Sequence, residues 1–71
     1  MSSLLDTVVA DAYGDRVDHW LGFQKMPPGY ALMLDADGMY FYWLREDGAE
    51  SAIHWNKWAV RKGAVLDSRK G

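Results

Sequence analysis

The hydrophobic and polar positions of this 71-residue chain form a helical pattern at each end and a central run of alternating aromatic positions. In the centre, two Asp-Gly turns, Asp37-Gly38 and Asp47-Gly48, enclose residues 39–46. Turn chemistry at both ends of an alternating segment is typical of the middle strand of an antiparallel meander. The sequence therefore predicts an α+β fold in one domain over residues 1–71, with a helix, three antiparallel strands and a second helix.

The N-terminal helix is predicted to begin after Ser3, a candidate N-cap, and to end near Gly14. Between them, apolar residues recur on one helical face, and Asp6 and Asp11 lie off it. Residues 15–23 fit either a second helix or a strand, because their apolar positions satisfy both periods. Both interpretations stay open for that segment.

The predicted strands cover residues 30–35, 39–46 and 50–55, and Pro27 and Pro28 make residues 25–29 an extended connection into the first of them. The first hairpin, at Asp37-Gly38, fits a three-residue or a two-residue loop. The two loops differ by one residue in register. That difference decides whether Phe41 or Tyr42 lies opposite Leu34.

Pleating separates the middle strand into two sets of side chains. One set is Met39, Phe41 and Trp43, and the other is Tyr40, Tyr42 and Leu44. If both helices cover one side of the sheet, the first set forms the core and the second set faces solvent. We therefore expect Tyr40 and Tyr42 to be exposed.

The C-terminal helix is predicted to begin after Asn56, a good N-cap, and to run for about a dozen residues. Its expected apolar face comprises Trp55, Trp58, Ala59, Val65 and Leu66. A strand that turns at residues 61–63 is the alternative, because Gly63 costs about 1 kcal/mol relative to Ala inside a helix.

Composition raises the question of what stabilises so short a chain. A core of this size rarely contributes more than about 3 to 5 kcal/mol, and the absence of cysteine excludes a disulfide. Four Trp, four Tyr and two Phe, or formation of a homodimer, could supply the missing stability. No signal peptide or membrane-spanning stretch is indicated, so a cytoplasmic location is expected.

Charge is distributed unevenly along the chain. Residues 1–50 hold nine acidic and three basic residues, whereas residues 51–71 hold one acidic and five basic residues. The five basic residues are Lys57, Arg61, Lys62, Arg69 and Lys70. Such asymmetry indicates either a basic surface that meets an acidic partner or two halves that complement each other.

Catalytic motifs are not found in the sequence. His19 and His54 lack metal-ligand spacing, no serine lies in a nucleophile elbow, and the glycines do not form a phosphate-binding loop. A chain of this length also has little room for a water-excluding pocket. We therefore expect no enzymatic activity, no cofactor, no metal and no small-molecule substrate.

Two functions remain. The first is a protein-binding module that docks a protein partner, or a second copy of itself, through Tyr30, Tyr40 and Tyr42. In its general character the chain resembles small bacteriophage or mobile-element proteins that modulate a host protein. The alternative is nucleic-acid binding, with bases stacked on exposed aromatic residues and phosphates neutralised by the basic C-terminal helix; the overall charge of −2 argues against it.

Overall fold

The computed structural model describes residues 4–18 and 25–70. It shows a helix, three antiparallel strands in one sheet and a C-terminal helix, as predicted. The elements in chain order are α1 (Leu4–Ala10), β1 (Asp15–Arg16), β2 (Tyr30–Leu34), β3 (Phe41–Arg45) and α2 (Lys57–Lys70).

Two of the three strands, β2 and β3, lie within predicted strands, and the third strand, β1, comes from a different segment than predicted. The strand order is β1-β2-β3, so β2 is central and the segment with the aromatic run, β3, lies beside it. The first strand comes from Asp15–Arg16, and the pairing continues through Val17, whose N–H donates to the Leu32 carbonyl. Of the two interpretations for residues 15–23, the strand is therefore correct at its start. The remainder, residues 19–23, lies outside the described residues.

The predicted third strand, residues 50–55, makes only isolated bridges to β3, at Phe41 with His54 and at Leu44 with Glu50. Between these bridges the segment has one residue more than β3, which is the pattern of a β-bulge. Ser51 fills the interrupted ladder, because its Oγ accepts a hydrogen bond from the Trp43 N–H at 2.9 Å. A continuous third strand was thus a wrong prediction, although the segment does lie along β3.

The hairpin between β2 and β3 has the predicted turn chemistry. The Gly38 N–H donates to the Asp35 carbonyl at 2.7 Å, and Gly38 has a φ of 72°, where glycine is favoured. Asp35 Oδ1 also accepts from the Asp37 N–H at 2.9 Å. In the resulting register Phe41, not Tyr42, lies opposite Leu34.

The two helices lie on opposite faces of the sheet. On one face Leu5 of α1 packs in a cluster with Ala31, Met33, Tyr42 and Leu44. On the other face Val60 of α2 packs in a cluster with Val17 and Leu32, with Phe41 and Trp43 at their side. The pleat separates the side chains as predicted, but the expectation of helices on one side is wrong, so both sets contribute to a core.

Helix α2 begins where predicted, since Asn56 Oδ1 accepts from the Trp58 N–H at 2.8 Å. Its buried face is not the predicted one. Val60 and Ala64 are buried, whereas Trp58 and Leu66 are exposed. Small side chains allow the helix to approach a sheet face that already carries bulky rings, and this fit overrides the more apolar stripe.

Candidate functional site

The three tyrosines that the sequence predicts to contact a partner are in different environments. Tyr30 and Tyr42 are buried, with only 7% and 6% of their surface exposed, and Tyr40 is half-buried. The expectation that Tyr42 faces solvent is wrong, because α1 covers its side of the sheet. Tyr30 likewise belongs to the interior. Of the three tyrosines, Tyr40 alone is not fully buried.

Tyr42 connects the sheet to the chain that follows α1. Its hydroxyl donates to the Tyr13 carbonyl at 2.5 Å. Burial raises the pKa of Tyr42, and the nearby carboxylates of Glu50 and Asp35 add to that increase. The phenol therefore stays neutral and acts as a hydrogen-bond donor, which is a structural role.

Tyr30 connects the sheet to α2. Its hydroxyl donates to Asp67 Oδ2 at 2.5 Å, and the same oxygen accepts from Arg45 at 2.7 Å. The guanidinium of Arg45 also holds Asp47 through two hydrogen bonds, of 2.9 Å and 2.7 Å. We call these four residues, Tyr30, Arg45, Asp47 and Asp67, the Tyr30 network.

In the Tyr30 network a single guanidinium, that of Arg45, pairs with two carboxylates, those of Asp47 and Asp67. Arg45, together with the Ala49 N–H, lowers the pKa of Asp47 to about 2, and the Tyr30 hydroxyl is the largest cause of the lowered pKa of Asp67. Burial raises the pKa of Tyr30, and its hydrogen bond to Asp67 adds to this. None of these shifts moves a group toward neutral pH, where a general acid or base works best. The network therefore has a structural role: it connects α2 to the sheet.

Large apolar side chains are exposed at the other end of the sheet. The Trp55 ring packs edge-on against the Tyr40 ring, with centroids 4.6 Å apart, yet 72% of Trp55 remains exposed. Tyr13 is 84% exposed, and Ile53 is also exposed. We call Tyr13, Tyr40, Ile53 and Trp55 the aromatic patch.

An open hollow of about 140 Å³ adjoins the aromatic patch. It is lined by Tyr13, Asp35, Tyr42, Glu50, Ser51 and Ile53. Sites for drug-sized ligands usually measure about 300 to 1,000 Å³. This hollow therefore suits one side chain of a larger partner better than a small molecule.

The length of α1 explains why the patch is uncovered. Seven helical residues span about 10 Å, whereas five strand residues span about 17 Å. The α1 cluster therefore reaches Tyr42 and Leu44 but leaves Tyr40 beyond it. The bridge at His54 places its neighbours Ile53 and Trp55 on the α1 face, next to Tyr40.

Sequence reasoning identified only one member of the patch, Tyr40. Tyr13 falls within the predicted N-terminal helix, and Ile53 and Trp55 fall within the predicted strand over residues 50–55. The available signal was quantitative: folding of a chain this small buries only about 60% of the surface of the unfolded chain, so some large side chains had to remain exposed. That signal does not say which ones.

The five basic residues of the predicted basic patch all lie on α2. Lys62, Arg69 and Lys70 are exposed, and Lys57 and Arg61 are half-buried. The Lys57 ammonium lies 5.6 Å from the centre of the Trp58 ring. Because α2 and the aromatic patch are on opposite faces of the sheet, the structure does not bring the basic helix beside the exposed sheet aromatics.

Residues capable of acid–base or metal chemistry are dispersed. Within residues 4–18 and 25–70, no group of three or more acidic or histidine side chains is placed to hold a metal ion. His54 is exposed, and His19 lies outside the described residues. No helix in this part of the chain is long and apolar enough to cross a membrane.

Comparisons with protein-family models, with curated proteins and with solved structures give no match for this chain.

Proposed function

We propose that this protein is a small protein-binding module that docks a partner protein through the aromatic patch. The observation that carries the proposal is the position of Trp55: its ring is held against Tyr40, and most of its surface is open to solvent. Occupying a partner's surface is enough to inhibit or modulate that partner. Modulation by binding is therefore the activity that we propose.

The composition of the aromatic patch favours a strong contribution to the free energy of binding. Trp and Tyr are the residues most often found to dominate binding energy, because each buries a large area with few rotatable bonds. Removal of apolar surface from water contributes about 25 cal/mol per Å². Trp55, Ile53 and Tyr13 remain exposed in the folded chain, so their burial by a partner would contribute hydrophobic free energy to binding.

The patch is also preformed, which lowers the entropic cost of binding. Trp55 directly follows a bridge in which the Phe41 and His54 backbones exchange two hydrogen bonds of 2.7 Å. Tyr13 precedes Gly14 and β1, and its carbonyl accepts from the Tyr42 hydroxyl. Trp55 and Tyr13 are thus held near the sheet, Trp55 through the bridge of its neighbour His54 and Tyr13 through its own carbonyl.

Substitution of Trp55 tests the proposal. A tagged Trp55→Ala variant should keep its thermal unfolding transition but lose the protein that the wild-type chain captures from a cell lysate. Trp58→Ala is the matched control, because Trp58 is also exposed but lies on α2. Equal capture by wild type and Trp55→Ala, or equal loss in both variants, would contradict the proposal.

Nucleic-acid binding by α2 is the second candidate. The exposed Lys62, Arg69 and Lys70 support it, because the helix carries only one acidic residue, Asp67, which is ion-paired with Arg45. Tryptophan fluorescence titrated with an oligonucleotide should then show an affinity that falls steeply with salt. It ranks second because the chain has a net charge of −2.

A further inference from the structure

Two carboxylates border the apolar surface through which the proposed function operates. Asp35 and Glu50 line the same hollow as Tyr13, Ile53 and Tyr42. The pKa of Tyr42 is raised by burial and, in addition, by the charges of both carboxylates, so their field extends into the hollow. The hollow therefore has an aromatic wall and a negative potential.

Within the described residues, nothing neutralises that potential. The ion pairs there engage Arg16 with Asp6 and Asp18, and Arg45 with Asp47 and Asp67. None of these pairs includes Asp35 or Glu50, and no Lys or Arg is among the residues that line the hollow. The charge beside the aromatic patch is thus left for a partner to match.

We infer that the partner is a protein segment that inserts an arginine side chain between Asp35 and Glu50 and packs adjacent apolar residues on Tyr40 and Trp55. This inference rests on the proposed function, because it names the chemistry of the partner for the same surface. Arginine suits the hollow better than lysine, since its planar guanidinium both stacks on aromatic faces and pairs with carboxylates. The same negative potential repels phosphate.

A random peptide library displayed on phage, selected on the wild-type protein and counter-selected on Trp55→Ala, provides the probe. The selected peptides should be enriched in arginine next to apolar residues. Their binding should fall about tenfold or more on the double variant Asp35→Asn with Glu50→Gln. This variant should still fold, because an asparagine at position 35 can accept the same hydrogen bond from the Asp37 N–H.

A charge-matched control separates local pairing from net charge. Asp15→Asn with Glu46→Gln removes two exposed acidic residues from the chain. Asp15 pairs with Leu34 and so faces the α2 side, and Glu46 follows β3 at the opposite end of the sheet. The selected peptides should bind this control as they bind the wild type.

The peptide arginine is also replaced by citrulline, which has nearly the same shape without the charge. Combined with the Asp35→Asn, Glu50→Gln variant, this replacement forms a double-mutant cycle. Citrulline should weaken binding to the wild type and have little further effect on the Asp35→Asn, Glu50→Gln variant. Peptides that need Trp55 but show neither arginine enrichment nor sensitivity to the double variant would overturn this inference and leave the proposed function standing. If no selected peptide depends on Trp55, or if the wild type binds only a second copy of itself, both proposals fail.

Discussion

Two Tyr–Trp pairs at opposite ends of the sheet have similar local geometry but differ in their exposure to solvent. Tyr30 and Trp43 meet edge-on with centroids 5.2 Å apart, and Tyr40 and Trp55 meet edge-on at 4.6 Å. The first pair lies under α2, and Tyr30 is also bonded to Asp67 of that helix. In the second pair, 72% of Trp55 is open to solvent.

The difference shows that helix coverage, not ring chemistry, decides which aromatic pair becomes core. Fourteen residues of α2 span about 21 Å, enough to cover its face of the sheet, whereas the seven residues of α1 do not cover theirs. The covered pair then stabilises the fold. The uncovered pair is available for binding.

Truncating one tryptophan of each pair tests the comparison most strongly. Trp43→Ala should lower the free energy of unfolding by about 2 to 3 kcal/mol, because it opens a cavity under α2 and removes the edge contact with Tyr30. Trp55→Ala should cost less than about 1 kcal/mol. Urea unfolding followed by circular dichroism measures both. Equal losses in the two variants would refute the assignment of one pair to the core and the other to the surface.

The Tyr30 network should make the covered end sensitive to pH. Asp47 and Asp67 have lowered pKa values in the folded state, so the unfolded chain binds more protons as pH falls below about 4. Stability should therefore fall between about pH 4 and pH 2. Tyr30 has a raised pKa, so its contribution is complete below about pH 10 and is lost at more alkaline pH.

Urea midpoints between acid and alkaline pH measure this dependence. Asp67→Asn should flatten part of the acid decrease, because the amide keeps a hydrogen-bond acceptor but no longer titrates. Glu50→Gln, which removes a carboxylate outside the Tyr30 network, is the control, and the acid decrease should persist in that variant. A wild-type midpoint that stays constant from pH 5 to pH 2 would show that the network contributes no titrating stability.

The smallest effect is expected at Gly63, where α2 crosses Trp43. A Cβ there would lie 3.5 Å from Trp43 Nε1, an ordinary van der Waals contact. Gly63→Ala should therefore stabilise the protein by about 0.5 to 1 kcal/mol through helix propensity. A higher urea midpoint with an unchanged tryptophan emission spectrum of the folded protein would confirm it. A lower midpoint would mean that α2 packs on the covered pair too closely to admit a methyl group.

Local signals predicted most of the elements. Asn56 and the two Asp-Gly turns act through their own backbone neighbours, so their effects can be recognised without knowing the rest of the fold. The separation of side chains in β3 into two sets follows from the pleat for the same reason. The helices, the hairpin and the α+β class were therefore accessible from the sequence.

The candidate site could not be predicted from the sequence. The buried state of Tyr30 and Tyr42 and the exposure of Trp55 depend on which helix covers which face, and on where a seven-residue helix ends above the sheet. The bulge at Ser51 interrupts the predicted strand over residues 50–55. It depends on the Ser51 hydroxyl, which accepts a hydrogen bond from the Trp43 N–H, eight residues away. Sequence alone determined the local conformations and the alternation of faces, because those arise from neighbours along the chain. Only the tertiary structure decided which aromatic side chains are core and which form a surface, because burial depends on contacts between segments far apart in sequence.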